Sequence, residues 1–215
     1  MIKKIKTVFI LHFINFAIYL KFCQEKTIFL RPVYFPDFMQ KVIIDHKEFA
    51  VSIPSAKIKD AVKRMAMYIN KDFHGETPLF LGILNGSFMF VSDLLKEIKL
   101  DCKVSFVRLS SYSGCSSTGK VKELLGINED ISGKPVIILE DIVETGNTLE
   151  NIVEKLNTMH PKRLCIATLL LKPGAFSKKI KIDYTGIEIP NDFIIGYGLD
   201  YKGFGRNLKD IYSET

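Results

Sequence analysis

Between Leu139 and Thr148 the chain reads Leu-Glu-Asp-Ile-Val-Glu-Thr-Gly-Asn-Thr, three carboxylates gathered beside a small polar turn. Glu140 and Asp141 follow the apolar run Pro135–Leu139, Glu144 comes three residues later, and Thr145, Gly146, Asn147 and Thr148 make the turn. Leu149, Ile152, Val153 and Leu156 then recur at helical spacing. Free N–H groups and the helix dipole converge at such a turn, so a phosphate fits there. Glu140 and Asp141 suit sugar hydroxyls or a magnesium ion bound through oxygen. At the carboxyl end of a buried strand, where α/β sheets bind ligands, this combination suits a phosphorylated sugar. A solvated loop ending in a plain helix cap is the bland reading of the same string.

The elements needed to hold that loop can be read on either side of it. Leu79–Leu84 is a continuous apolar run, as expected of a strand buried on both faces, and it breaks at Asn85-Gly86-Ser87. Ser55, after Pro54, is expected to cap a helix carrying Ile58, Val62, Met65 and Ile69. A second helix is expected from Phe88 to about Lys99, with strands over Val104–Leu109 and Arg163–Leu171. Strands alternating with helices imply an α/β fold with a central parallel sheet. Past Pro173 the pattern turns to short strands and turns, as in a small separate lobe. In the polar segment Ser110–Lys122, Gly114 to Lys120 has P-loop spacing. Val121, however, stands where that motif needs a hydroxyl. A mobile Ser/Gly-rich lid fits the composition better.

With 215 residues, 47% of them hydrophobic, the chain can bury one good core. The net charge of +6 is concentrated early: residues 1–38 hold Lys3, Lys4, Lys6, Lys21, Lys26 and Arg31 against Glu25 and Asp37, which leaves +2 for the remainder. No basic stripe with interleaved aromatics follows, so nucleic-acid binding is disfavoured. Cys23, Cys102, Cys115 and Cys165 have no C-x-x-C spacing and fit a reducing cytoplasm without zinc or disulfides. Three lysines ahead of the apolar run Thr7–Leu20 have the layout of a secretory signal. The run is short for a membrane span and no small-x-small cleavage site follows it. The expected native start is Met39, which makes residues 1–38 an extension, not part of the domain. No membrane role is expected unless that segment is real.

Strand, paired acids, Glu144, Thr-Gly-x-Thr and helix together resemble the phosphoribosyl pyrophosphate (PRPP) signature of the type I phosphoribosyltransferases. Three further segments make the chain similar to the hypoxanthine(-guanine) branch of that family over roughly Met39–Glu214. These are Leu84-Asn-Gly-Ser87, Arg108-Leu-Ser-Ser-Tyr112, and Leu171-Lys-Pro173 with Pro190-Asn-Asp-Phe-Ile-Ile-Gly-Tyr-Gly-Leu-Asp-Tyr201 through Arg206. The resemblance implies one domain over 39–215, with a core at about 55–172. A hood from about 39–54 and 173–215 combines the N-terminal strand with the C-terminal segment.

It also implies roles. Magnesium-bound pyrophosphate leaves ribose C1 as a purine nitrogen attacks, giving IMP, and GMP where guanine is used. Glu140 and Asp141 hold the ribose hydroxyls and, with Asp200, reach the Mg2+ cofactor. Thr145, Gly146, Asn147 and Thr148 take the 5-phosphate. Asn85 and Gly86 belong to the pyrophosphate loop, where a non-proline cis peptide is expected, and Arg206 meets pyrophosphate. Ser111 and Tyr112 lie on the flexible loop. Glu144 is the general base near the purine N7, where the family usually has Asp. Lys172 reads the 6-oxo group, Phe193 stacks on the base, and Ile194 offers backbone groups to its edge. The partners implied are PRPP, 6-oxopurine bases and further copies of the chain, as a homodimer or homotetramer. A PRPP- or nucleotide-sensing regulator without catalysis is the alternative, since the family often has Lys in place of Asn85.

Overall fold

In a computed structural model the described residues are 41–110, 122–125 and 129–215. Residues 1–40 lie outside them, as do residues 111–121 of the expected lid, Ser111 and Tyr112 included. The strands are β1 (Lys41–Ile44), β2 (Lys47–Ile53), β3 (Leu79–Leu84), β4 (Lys103–Ser110), β5 (Lys122–Leu125), β6 (Pro135–Val143), β7 (Arg163–Leu171), β8 (Tyr184–Glu188), β9 (Ile194–Ile195) and β10 (Ile211–Glu214). The helices are α1 (Ser55–Asp72), α2 (Phe88–Glu97) and α3 (Asn147–Asn157).

Strands β4, β3, β6, β7 and β8 form a five-stranded parallel sheet in that order, and β5 adds an antiparallel edge beside β4. Successive strand residues face opposite ways, and this splits the core in two. Phe80, Ile137 and Ala167 pack with α1 and α2 residues such as Met65, Ile69, Phe90 and Leu94. Leu81, Ile138 and Ile166 pack with Leu149, Ile152 and Leu156 of α3 on the other side. The chain leaves β3 towards β4 on one side and returns to β6 on the other. The gap between the carboxyl ends of β3 and β6 is therefore a topological switch point, the usual crevice for ligands in such sheets.

A second sheet, antiparallel, brings residues 41–53 beside residues 194–214 in the order β1-β2-β10-β9. Its core is Phe49, Ile195 and Tyr212. Three local expectations are corrected. Tyr184–Glu188, expected in the small lobe, pairs in parallel with β7 as an edge of the large sheet, where buried Tyr184 hydrogen-bonds Asp72 of α1. Pro54, not Ser55, sits at the cap position of α1. The Ser55 N–H is accepted instead by the Asp210 carboxylate at 2.6 Å, which ties the helix start to the residue before β10. Finally, β6 continues past Leu139 through both acids to Val143, because β7 keeps pairing with it after its own pairing with β3 stops at Gly82–Leu139. Among the described residues no helix is long and apolar enough to cross a membrane.

Candidate functional site

The carboxyl ends of β3 and β6 carry Asn85–Gly86 and Glu140–Asp141, side by side across the switch point. The Leu84–Asn85 peptide is cis, as expected for this loop. Regular alternation fails across the two acids of β6, since Leu139 and Ile142 both pack into the core shared with α1 and α2. Glu140 lines a cavity of about 260 Å³ with Glu144 and the turn Thr145–Thr148. Asp141 lies against the β3 loop: a Cβ on Gly86 would sit 1.7 Å from its Oδ2.

Both acids are buried, and both are pushed towards the protonated form. Burial is the main cause for Glu140, whose carboxyl rises well above the usual range, with the Asp141 charge adding to it. Burial raises Asp141 to about 6, opposed by backbone N–H groups and by Arg206 and reinforced by Asp200. The Oε2 atom of Glu140 has no hydrogen-bond partner. An orphaned buried oxygen and two carboxylates resisting ionisation form a donor set short of positive charge. Oxygen ligands of this kind fit a magnesium ion, which commonly takes one or two carboxylates and completes its shell from substrate phosphates and water. Among the described residues there is no group of three or more His, Cys, Asp or Glu side chains that could hold a metal ion without a ligand's help.

At the other end of the β6 loop, Gly146 opens α3 with φ 86°, a left-handed conformation that suits glycine. Asn147 N–H reaches the Thr145 hydroxyl at 3.4 Å. Thr148 and Leu149 begin the helix, where N–H groups have no partner from a preceding turn. Phe176 and Lys178 close over Gly146 so tightly that a Cβ there would lie 2.7 Å from the Phe176 ring. Lys178 also bridges to Glu150 in the first turn of α3 at 2.5 Å. Neither contact was visible in the sequence, where residues 174–182 carry no motif.

Lys172, just beyond β7, is nearly buried, and its ammonium pairs with the half-exposed Glu144 carboxylate. Its backbone N–H also donates to Val143 O at 2.9 Å. The segment carrying Phe193 and Ile194 approaches Lys172 through two contacts. Ile189 N–H bonds Leu171 O at 2.9 Å, and Gly174 faces Asn191. Ile194 is buried in β9. Phe193 packs edge-on against Tyr201, 5.7 Å between ring centres, and keeps 46% of its surface exposed. It is thus a half-covered ring on the small sheet.

Asp200 and Arg206 form an ion pair, and the Arg206 guanidinium also donates to Gly198 O at 2.7 Å. Gly198 is pressed against the β3 loop, since a Cβ on it would sit 2.0 Å from Gly86 O. Asn85–Gly86, Asp141, Gly198, Asp200 and Arg206 therefore form one cluster, while Glu140, Glu144, Thr145–Thr148 and Lys172 form the adjoining one. Gly198 was missed in the sequence. The signal for it was the Gly-Tyr-Gly repeat at 196–198, read only as part of a longer string.

Residues 53–202 match the family model of the phosphoribosyl transferase domain. A hypoxanthine phosphoribosyltransferase of Escherichia coli is 41% identical over 164 residues, 75% of this chain and 92% of that protein. A hypoxanthine-guanine phosphoribosyltransferase of Streptococcus pneumoniae is 37% identical over 174 residues, 80% of this chain and 92% of the relative. Among solved structures, a hypoxanthine-guanine phosphoribosyltransferase of Bacillus anthracis, with a HEPES molecule in its active site, superposes with a TM-score of 0.72. That match has 39% identity and covers 76% of this chain and 96% of the other.

Proposed function

The chain belongs to the phosphoribosyl transferase family, and from that premise we propose that it is a purine salvage enzyme. It transfers the 5-phosphoribosyl group of PRPP to N9 of hypoxanthine, and of guanine, and releases pyrophosphate. The observation that carries this reading is the pairing of Lys172 with Glu144 beside the Thr145–Thr148 helix start. A donor for a 6-oxo group and a carboxylate for the purine N7 then adjoin a phosphate-binding turn, as glycosyl transfer to such a base requires.

Each residue does simple work in this reading. The turn Thr145–Thr148 binds the 5-phosphate through backbone N–H groups and the α3 dipole. Glu140 and Asp141 hold the ribose hydroxyls from the β6 side of the switch point. Asn85 and Gly86 supply backbone to the pyrophosphate, and Arg206 supplies its guanidinium fork. Glu140, Asp141 and Asp200 are the residues that would hold magnesium. When bound, magnesium neutralises the diphosphate and makes it a better leaving group. As positive charge grows at ribose C1, the surrounding carboxylates stabilise it. Lys172 donates to the 6-oxo oxygen, which adenine lacks. Phe193 covers the base, Ile194 offers backbone to its edge, and Glu144 takes the proton from N7. Ser111 and Tyr112 would close over the centre.

The reading also has the protein act in the cytoplasm on small molecules, as a homodimer or homotetramer. Phe88, Val104 and Phe106 are large apolar side chains left exposed, which supports self-association. The test is conversion of hypoxanthine, guanine, xanthine and adenine with PRPP and magnesium. Turnover of a 6-oxopurine is expected. Failure with all of them would remove the enzyme, and retained PRPP binding in that case would favour a sensor.

A further inference from the structure

Gly196, Tyr197 and Gly198 connect β9 to the turn that carries Asp200 and Arg206. All three have left-handed backbone, with φ of 96°, 49° and 102°. Glycine adopts this conformation freely, but a bulky side chain does so only where its surroundings hold it. Tyr197 is held at both ends. Its N–H donates to Leu208 O at 2.7 Å, and its hydroxyl donates to Asp93 Oδ2 at 2.7 Å. The ring is 4% exposed.

Asp93 lies on α2, the helix that follows directly from Asn85–Gly86. The hydroxyl–carboxylate bond thus joins two segments that meet again at the site itself, where Gly198 abuts Gly86 O. Gly198 N–H donates to Arg206 O at 2.9 Å, and Arg206 donates back to Gly198 O. If Tyr197 shifts, Gly198 shifts, and with it the Arg206–Asp200 pair relative to Asp141 and the β3 loop.

We propose that Tyr197, through Asp93, is a positioning residue that sets the diphosphate end of the site. The inference rests on the phosphoribosyl-transfer reading. It places the effect on PRPP and not on the purine: Lys172 and Glu144 belong to the adjoining cluster, and Phe193 and Ile194, although on the same segment as Tyr197, are held separately by the pairing of β9 with β10 and by the Glu214 N–H bond to Phe193 O. Tyr197→Phe keeps the ring and removes only the hydroxyl. Asp93→Ala removes the acceptor, and Asp93→Asn keeps an acceptor oxygen.

Steady-state kinetics with hypoxanthine, PRPP and magnesium should give a KM for PRPP raised roughly tenfold in Tyr197→Phe and in Asp93→Ala, the scale of one lost hydrogen bond to a charged group. The KM for hypoxanthine should stay within about twofold, since binding at that half is unaltered. The double variant should be no worse than either single one, and Asp93→Asn should recover most of the loss. Equal changes in both KM values, or a lower Tm with neither KM changed, would reduce Tyr197 to a packing residue and overturn the inference. Should the unsubstituted chain turn over no 6-oxopurine, the transfer reading fails instead. Calorimetric binding of PRPP with magnesium then decides on Tyr197, and equal Kd values for the unsubstituted chain and Tyr197→Phe overturn its role.

Discussion

Gly86→Ala separates a steric requirement at the site from the conformational reasons glycine usually occupies loops. Gly86 is not among the residues with positive φ, so its backbone accepts any L-residue. Only space forbids one. The added methyl would lie 1.7 Å from Asp141 Oδ2 and 2.6 Å from its Cγ, whereas ordinary contact begins near 3.4 Å. Either the Asp141 carboxylate or the Asn85–Gly86 loop must therefore retreat by about 1.7 Å, and Asp141 is short and buried. A misplacement of about 1 Å can cost roughly 100-fold in rate where catalysis depends on position. The kcat/KM for PRPP should fall at least that far, about 2.7 kcal/mol of transition-state stabilisation. Overpacking should also lower stability by roughly 1–3 kcal/mol, so activity must be compared at a temperature where the variant is folded. Gly133→Ala is the control. Gly133 has φ 67° and nothing within 4 Å of an added Cβ, so it tests strain without crowding and should leave kinetics unchanged. A folded Gly86→Ala chain with kcat/KM within threefold of the unsubstituted one, roughly 0.6 kcal/mol, would refute the reasoning.

Glu144→Ala should lower kcat far more than it weakens PRPP, by roughly 10²–10⁴-fold for loss of a general base, and an unchanged kcat in steady-state assays would end that role. Lys172→Ala should cut kcat/KM for hypoxanthine by roughly ten- to a hundredfold and leave the KM for PRPP in place; full retention of hypoxanthine activity would count against it. Asp141 gives a pH-dependent prediction for the ligand-free chain. Its carboxyl is raised to about 6, whereas an unfolded Asp loses its proton near pH ~3.9. The folded form is thus unpenalised below about pH 4, loses stability as pH rises towards 6, and is destabilised by up to ~3 kcal/mol above that. Asp141→Asn should therefore raise Tm at pH 7.5, change it little near pH 4, and abolish turnover. An equal Tm difference at both pH values in thermal melts would contradict the burial argument.

How far the molecule could be read in advance follows from what each feature depends on. Leu79–Leu84 was bounded correctly because a strand buried on both faces must be apolar throughout, and Arg163–Leu171 because its buried stretch Cys165–Leu170 is almost as apolar and only its first residue, Arg163, is exposed. Helix α1 was legible because Ile58, Val62, Met65 and Ile69 mark one face, and all are buried. The fate of Tyr184–Glu188 was not legible: five residues of mixed burial give the same local pattern in either sheet. The cap of α1 was hidden for another reason, since Asp210 is 155 residues from Ser55 and only the closed fold brings them together. Within the site, the grouping of Glu140, Glu144 and Thr145–Thr148 around one cavity was readable because these residues are near neighbours in sequence. The approach of Gly198 to Gly86 was not, because a missing Cβ leaves no trace of what occupies its space.

Glu144 shows how a departure from pattern changes meaning once its neighbour is known. Taken alone, Glu in place of Asp moves the carboxylate one methylene further from its backbone. The structure gives that carboxylate a partner: the ammonium of Lys172, whose side chain is 8% exposed while that of Glu144 is 54% exposed. A buried ammonium without a counter-charge is costly, so in the absence of a base the long Glu side chain meets a need of Lys172. On the proposed reading, a 6-oxopurine oxygen gives Lys172 a second acceptor but no negative charge, so Glu144 must stay close enough to balance the ammonium while it reaches N7. The extra methylene of Glu provides that reach. Adenine, with no 6-oxo acceptor, adds nothing for Lys172, so discrimination between the bases falls on the ammonium and proton transfer on the carboxylate of one ion pair.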